Sequence, residues 1–240
     1  MKAMIFAAGL GTRLGELTRE RPKALVEING RTALRFAAEK LVSAGFNDLI
    51  VNIHHHPALM MEEIEKLRGD GFSITVSDES EELLDTGGGL LNARNFFTDG
   101  PFVYYNVDIF TDLNISDLYK RHLASGALAT LAVRHRPGKR FYLVDKSGRI
   151  RGWRNIDTKE EIITIGSSKG LEEVAFSSIA VLSPEIFDMM PAGIYSMTSL
   201  YLMLAGKNRI MTYLYDEGYW FDCGTPASLE KIRDHFSRQG

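Results

Sequence analysis

Apolar residues fall in two rhythms along the first half of the chain. The short apolar run at 4–8 reads as a buried strand, and stretches at 49–53, 72–76 and 102–105 read as further strands. Between them lie amphipathic stretches with helix start and stop signals. Asn29-Gly30 marks a turn, and Thr32 caps a helix predicted to run to Ala44, with Gly45 as its stop. Pro57 suits the first turn of a helix through about Leu67, and a further helix is expected after Gly88. Strands that alternate with helices imply a mostly parallel sheet joined by right-handed crossovers.

The second half changes character. A strand is predicted over 127–133. Runs at 141–144 and 150–153 flank Asp145-Lys146-Ser147-Gly148 and read as a hairpin. Further strands are expected over 174–182 and 209–215, with short helices after Pro184 and Ser199. Thr225-Pro226 opens a C-terminal helix, with Thr as N-cap and Pro at its first position. The expected fold class is α/β: a Rossmann-like, mostly parallel sheet flanked by helices, with a mixed, hairpin-bearing lobe. The whole of 1–240 reads as a single domain, with a soft boundary near Ser125 that separates 1–125 from 126–240.

Composition narrows the classes of function. Of the 240 residues, 45% are hydrophobic and 25% charged, which suits a packed core rather than disorder. The formal charge of −3 argues against nucleic acid as the main partner. No apolar run approaches the ~20 residues that span a bilayer, so no membrane association is expected. Cys223 is the only cysteine, which excludes an internal disulfide and a cysteine metal site. The segment before Gly9 is too short for a signal peptide, so a cytoplasmic protein is expected.

The chemistry concentrates at Ala7-Ala8-Gly9-Leu10-Gly11-Thr12-Arg13, followed by Pro22-Lys23. A strand that ends in glycines exposes backbone N–H groups, and these form an anion cradle. Arg13 adds a forked donor and Lys23 a point charge. The position three after Gly11 is Leu14, which excludes the dinucleotide fingerprint, and no Gly-Lys-Ser/Thr triplet makes a Walker loop. Two strand-end carboxylates stand out as well: Asp108 after the run at 102–107, and Asp222 in Tyr219-Trp220-Phe221-Asp222-Cys223-Gly224-Thr225. Phosphoryl chemistry needs positioning and charge neutralisation, and magnesium takes hard oxygen ligands of this kind.

The string G-x-G-T-R-x₉-K, with Asp108 and the aromatic-x-Asp-x-Gly-Thr segment, resembles the sugar-nucleotide pyrophosphorylases, or NDP-sugar nucleotidyltransferases, over nearly the entire chain. The resemblance implies a nucleotide-diphospho-sugar transferase fold, with 1–125 binding nucleotide and 126–240 binding sugar and completing a metal site. It implies Mg²⁺ as cofactor, held by Asp108 and Asp222, and an NTP and a sugar 1-phosphate as substrates. Catalytic roles fall on Arg13, Lys23, Asp108 and Asp222. Nucleotide contacts fall on Ala8, Gly9, Gly11, Thr12, Arg13, Lys23, Asp85, Thr86, Gly87, Gly88 and Asn106. Sugar-phosphate contacts fall on Arg140, Phe176, Ser177 and Ser178. A monomer or small homo-oligomer is expected.

Compact length and the Thr86-Gly87-Gly88-Gly89 run look most like the small N-acetylmuramate 1-phosphate uridylyltransferases, with mannose-1-phosphate guanylyltransferases as the alternative. Two positions depart from the pattern: Val107 and Ser178 stand where glycine is usual. Val107 narrows the site unless it turns into the core, and Ser178 bears on which sugar fits. A sugar-transferring enzyme would carry Asp-x-Asp, but Phe110 follows Asp108 at that spacing. A silent nucleotide sensor would require loss of Lys23 or an Asp. His54-His55-His56 alternates across a strand end and reads as polar lining rather than a metal site. The basic run 134–140 is a solvated loop, or else brings Lys139 or Arg140 to the sugar phosphate. Cys223 reads as a small apolar filler. Trp153 and Tyr195 border the sugar or pack in the lobe.

Overall fold

The computed structural model describes residues 1–207 and 209–238, so that Asn208, Gln239 and Gly240 lie outside the described residues. The chain divides into two compact units, each discontinuous in sequence. The first comprises Met1–Leu84, Tyr104–Asn114 and Gly218–Gly240; the second comprises Asp85–Val103 and Ile115–Glu217. Among the described residues no helix is long and apolar enough to cross a membrane.

In the first unit, Lys2–Phe6, Asp48–Ile53 and Ser73–Asp78 form a parallel sheet, with Phe6 opposite Asn52 and Ile53 opposite Asp78. Residues 104–106 of the strand Phe102–Asn106 lie on the other side of Lys2–Phe6. Ala3, Met4, Ile5, Leu49, Val51 and Ile53 are all buried, as expected for strands covered on both faces. The helix Ala33–Ser43 begins where Thr32 accepts a hydrogen bond from the Arg35 N–H, and it buries Leu34, Ala37, Ala38 and Leu41 on one face. The predicted stop at Gly45 has φ 89°, a left-handed conformation that suits glycine. Pro57 opens the helix Pro57–Gly69. Asn29 and Gly30, at φ 49° and 74°, join the short antiparallel strands Glu27–Ile28 and Arg31–Thr32.

A second ribbon has no strand-pairing signal in the sequence. Ile109–Thr111 pairs antiparallel with Trp220–Asp222, and Asp222 stands opposite Ile109. Phe36, Phe110 and Phe236 pack behind it with ring centroids 5.2–6.2 Å apart. The closing helix Pro226–Ser237 has the expected Thr225 cap, reinforced by the Ser228 hydroxyl, which accepts from the Thr225 N–H at 3.1 Å.

The second unit carries a mixed sheet. Arg140–Val144 and Ile150–Asn155 form the predicted hairpin, and Glu160–Ile163 extends it. Asp145 organises the turn by accepting from the Ser147 and Arg149 N–H groups at 2.9 and 3.1 Å and from Arg151 Nε at 2.6 Å. Burial opposes the charge of this carboxyl, but the surrounding donors outweigh it and hold the pKa at about 2. The long strand Glu172–Leu182 pairs antiparallel with both Arg140–Val144 and Ala129–Arg134, and Ile210–Leu214 runs parallel to the latter.

Three helical details differ from expectation. The helix Asp85–Asn92 takes in the glycine cluster instead of following it. Met197–Ala205 starts at Ser196, whose hydroxyl accepts from the Ser199 N–H, so Ser199 is the cap's partner and not its origin. Ile115–Ser125 is a helix that the apolar pattern does not announce, with Ile115, Leu118 and His122 buried. His122 lies between the Thr130 and Ser183 hydroxyls at 3.0 and 2.9 Å, and burial pushes its pKa down to about 4.

Candidate active site

The first strand ends at Phe6, and the chain enters the glycine loop with Ala7 and Ala8 still buried. A Cβ on Gly9 would meet nothing within 4 Å, so backbone is open to an incoming group at that point. Gly11 is glycine for two other reasons. Its φ is 65°, and a Cβ would stand 3.0 Å from Thr18 Cγ2 and 3.1 Å from Lys23 Cβ. The Thr18 hydroxyl closes the loop by donating to the Gly11 carbonyl at 2.9 Å. Thr12 and Arg13 open a 3-10 segment, Thr12–Thr18, that kinks at Gly15. Pro22 precedes a second such segment, Lys23–Leu25, and its carbonyl accepts the Leu25 N–H at 2.9 Å. This turn directs Lys23 inward, and the residue is only 8% exposed.

Asp108 follows Asn106 and Val107 at the end of the strand Phe102–Asn106. Val107 donates its N–H to the Phe6 carbonyl at 3.1 Å and is buried, so its side chain turns into the core. Asn106 Oδ1 is buried and accepts no hydrogen bond among the described residues. The ribbon of Ile109–Thr111 and Trp220–Asp222 then brings the second carboxylate alongside: the Cys223 N–H donates to the Asp108 carbonyl at 3.0 Å. Lys23 Nζ donates to Asp108 Oδ2 in a close ion pair and stands 3.7 Å from Asp222 Oδ1. Two carboxylates distant in sequence therefore flank one ammonium group.

Electrostatics follow from this crowding. Burial works against the Lys23 charge, but the facing Asp108, Cys223 and Asp222 outweigh it and hold the amine above its ordinary pKa. Burial and then the Asp108 charge push the Asp222 carboxyl above the usual range, while Lys23 and Arg13 pull it back. Asp222 Oδ1 is buried and accepts no hydrogen bond among the described residues. Lys23 and Arg13 are thus the cations that act on this carboxylate. Paired carboxylates of this kind would suit a hard divalent cation, whose other ligands would come from phosphate and water. Among the described residues no group of three or more His, Cys, Asp or Glu side chains is placed to hold a metal. Cys223 is fully buried, and burial, helped by Asp108, pushes its thiol to about 12, which removes it as a nucleophile.

The remaining candidates lie in the second unit. The Asp85 backbone is left-handed at φ 56°, and its carboxylate accepts the Thr86 N–H at 2.5 Å. Thr86 Oγ1 accepts the Met197 N–H at 2.9 Å, and the Gly87 N–H donates to the Tyr195 carbonyl at 2.8 Å. A Cβ on Gly87 would run into the Tyr195 ring, and Gly87 and Gly88 are both buried. Arg140 is exposed at the start of its strand, opposite Asn155. Phe176 meets Tyr142 and Tyr201 edge-on, and Ser177 is fully buried. Ser178 takes φ 59° where the register slips between Phe176 and Ala180. The basic run before Arg140 is largely engaged: Arg134 donates to the Asp216 carbonyl, Arg136 to that of Phe176, and Lys139 pairs with Asp157 at 2.5 Å.

Two further residues belong beside the glycine loop. Asn52 interrupts an otherwise apolar strand, and Glu79 follows one; both are buried. A polar residue inside a buried strand is the available signal, and the sequence motifs do not include it. His54 is tied to the Glu79 carbonyl, and His56 starts a helix with left-handed backbone, which leaves the histidine run in separate roles.

Comparison with known proteins extends the picture. The family profile described as nucleotidyl transferase matches residues 2–155. An N-acetylmuramate alpha-1-phosphate uridylyltransferase of Caulobacter vibrioides is 28% identical over 94% of this chain and 93% of its own length. A mannose-1-phosphate guanyltransferase of Yarrowia lipolytica is 31% identical over 95% of this chain, which spans 62% of that relative. Among solved structures, the inositol-1-phosphate CTP transferase of T. maritima superposes with a TM-score of 0.79 at 15% identity, covering 99% of this chain and 95% of that one. HddC of Yersinia pseudotuberculosis, complexed with GMP-PN, gives 0.75 at 20% identity, with 98% and 99% covered. At those identities the structures speak for the fold alone.

Proposed function

Because the chain belongs to the nucleotidyl transferase family, matched over residues 2–155, we propose that it joins an NTP and a sugar 1-phosphate into an NDP-sugar with release of pyrophosphate. The observation that carries this reading is Lys23 held between Asp108 and Asp222, next to a glycine loop with open backbone at Gly9. An oxygen of the sugar 1-phosphate attacks the α-phosphorus in line, and the bond from that phosphorus to the β-phosphate oxygen breaks. The attacking phosphate is already ionised, so no general base is required. Backbone N–H groups of the loop 9–13 and the Arg13 guanidinium hold the departing phosphates. Lys23 supplies positive charge beside the α-phosphate.

Asp108 and Asp222 are the residues that would hold Mg²⁺, and the buried Asp222 Oδ1, which accepts no hydrogen bond among the described residues, fits it. When bound, the ion neutralises charge on the phosphates. Of the pairs of substrates, UTP with N-acetylmuramate 1-phosphate is the reading we favour, because the relative of that name matches nearly end to end. GTP with mannose 1-phosphate is the second reading, favoured by the higher identity of the guanyltransferases.

The test is a pyrophosphate-release screen that crosses UTP, GTP, CTP and dTTP with N-acetylmuramate 1-phosphate, mannose 1-phosphate and other sugar 1-phosphates. The expected maximum of kcat/KM is UTP with N-acetylmuramate 1-phosphate. Nucleotide binding without pyrophosphate release from any pair would instead mark a sensor. Asp108→Asn should cut turnover by about a thousandfold or more, with Tm retained. An unchanged rate would remove Asp108 from the mechanism.

A further inference from the structure

Ala7 is the last residue before the open part of the glycine loop, and its N–H does not point into that loop. It donates to Asn52 Oδ1 at 2.7 Å. Asn52 Nδ2 in turn donates to Glu79 Oε1 at 2.8 Å, and Glu79 Oε2 accepts the Leu84 N–H at 3.3 Å. Backbone bonds pin Glu79 itself, because its N–H donates to the Ile53 carbonyl at 2.8 Å. Three hydrogen bonds therefore form a relay from Ala7 through Asn52 and Glu79 to Leu84. One end is followed by Ala8-Gly9-Leu10-Gly11, the other by Asp85-Thr86-Gly87-Gly88.

An acid 3% exposed at a strand end is a costly choice, since apolar filler would pack the same space without desolvating a charge. Hydrogen-bond accounting explains it. Asn52 must present its oxygen to Ala7, which turns its amide N–H towards Glu79. Leu84 presents a second N–H from the other side. The group between them must accept twice and donate nothing, and only a carboxylate does so.

We propose that Asn52 and Glu79 are positioning residues for the nucleotide: their relay fixes the Ala7 peptide and so sets the directions in which the following N–H groups meet the phosphates. The planar peptide makes this effective, because holding the Ala7 N–H orients the whole Phe6–Ala7 plane, whose carbonyl accepts from the Val107 N–H, and so fixes where the chain enters Ala8 and Gly9. The proposal rests on the nucleotidyl-transfer reading given above, and it names residues outside the glycine-loop motif.

The test uses full-length protein with Glu79→Gln, Asn52→Asp and the double variant. In Glu79→Gln the new amide turns a donor towards Asn52 or Leu84 and breaks the relay. Asn52→Asp alone sets two carboxylates against each other. Together the two substitutions rebuild the relay with reversed polarity. The new carboxylate then accepts from both the Ala7 N–H and the new amide, and the oxygen of that amide accepts from Leu84. Glu79→Gln should raise KM for the NTP about tenfold while KM for the sugar 1-phosphate stays within about twofold. The double variant should return the NTP value to within about threefold of wild type.

Unchanged or equally raised KM values in Glu79→Gln, or a double variant no better than the single, would overturn the proposal. If wild type releases no pyrophosphate, the functional reading fails separately, and calorimetric binding of UTP and GTP carries the same comparison. In that case the affinity should fall in Glu79→Gln and recover in the double variant. Binding that is absent in wild type, or indifferent to the relay, defeats the positioning role.

Discussion

In the first unit Gly9 has free space where a side chain would stand, whereas in the second unit the same space on Gly87 is filled by the ring of Tyr195. Both glycines follow strand–loop signals and both belong to motifs that suggest nucleotide. Their backbone groups have different fates. Around Gly9 the loop keeps open backbone, and nearby Asp222 Oδ1 is buried without a hydrogen bond among the described residues. Around Gly87 the polar groups are engaged at home, since the Gly87 N–H serves Tyr195 and the Thr86 hydroxyl serves Met197. A glycine makes room either for a ligand or for the protein's own side chains, and the two uses look identical in sequence. The first unit thus keeps backbone and carboxylate groups open, whereas the second spends the same kinds of group on its own bracing.

The sharpest way to break that contrast is at Gly224. A Cβ there would stand 2.6 Å from Asp222 Oδ1 and 2.8 Å from Arg13 Nη2. Both atoms end flexible side chains and would shift aside, which takes the carboxylate and the guanidinium off the positions proposed for them above. Gly224→Ala should therefore lower kcat/KM by about a hundredfold, on the order of 2.7 kcal/mol, with a much smaller change in Tm. Steady-state rates alongside a melting curve decide it. A variant with near-normal rates would show that Asp222 and Arg13 are not held tightly in the first unit.

At Gly87 the opposite balance is expected. An added Cβ would strike the Tyr195 ring and come within 2.7 Å of its carbonyl oxygen. Gly87→Ala should cost about 2–3 kcal/mol of stability, the upper part of the usual range for overpacking. That amounts to a fall in Tm of roughly 4–12 °C for a chain of this size. The rate per folded molecule should drop by less than about tenfold. Lost activity at an unchanged Tm would mean that Gly87 faces the nucleotide directly and that the two glycine clusters do the same work.

Much of this was legible in the sequence. The strand at 4–8, the Thr32 and Thr225 caps, the Gly45 stop and the hairpin around Asp145 all rest on local chemistry, and each appears within a residue or two of expectation. Lys23, Asp108 and Asp222 could be named as candidates because each follows a signal that short-range patterns carry. What brings Asp108 and Asp222 to one lysine could not be read. Their ribbon pairs three-residue strands, and the Thr111 hydroxyl reaches a carbonyl 108 positions away. Such pairing is decided by packing against Phe36 and Phe236, not by propensity. The helix Ile115–Ser125 was missed for the converse reason: its buried face is only Ile115, Leu118 and His122, and a histidine on the apolar face obscures the period.

The smallest effect belongs to Ser178, where a side chain stands in backbone that favours glycine. Its φ of 59° sits in the irregular stretch between Phe176 and Ala180. A left-handed serine costs about 1 kcal/mol, and glycine would relieve most of that. Glycine would also widen the unfolded ensemble, which returns about 0.4–1 kcal/mol. Ser178→Gly should therefore raise stability by no more than about 0.5 kcal/mol, a gain of roughly 1–2 °C. If the serine only fills an irregular turn, the ratio of kcat/KM between N-acetylmuramate 1-phosphate and mannose 1-phosphate should stay within about twofold, since no hydrogen bond to substrate is lost. A larger change in that ratio would mean that the hydroxyl reads the sugar, and the second unit would then hold a selective contact as well as a frame.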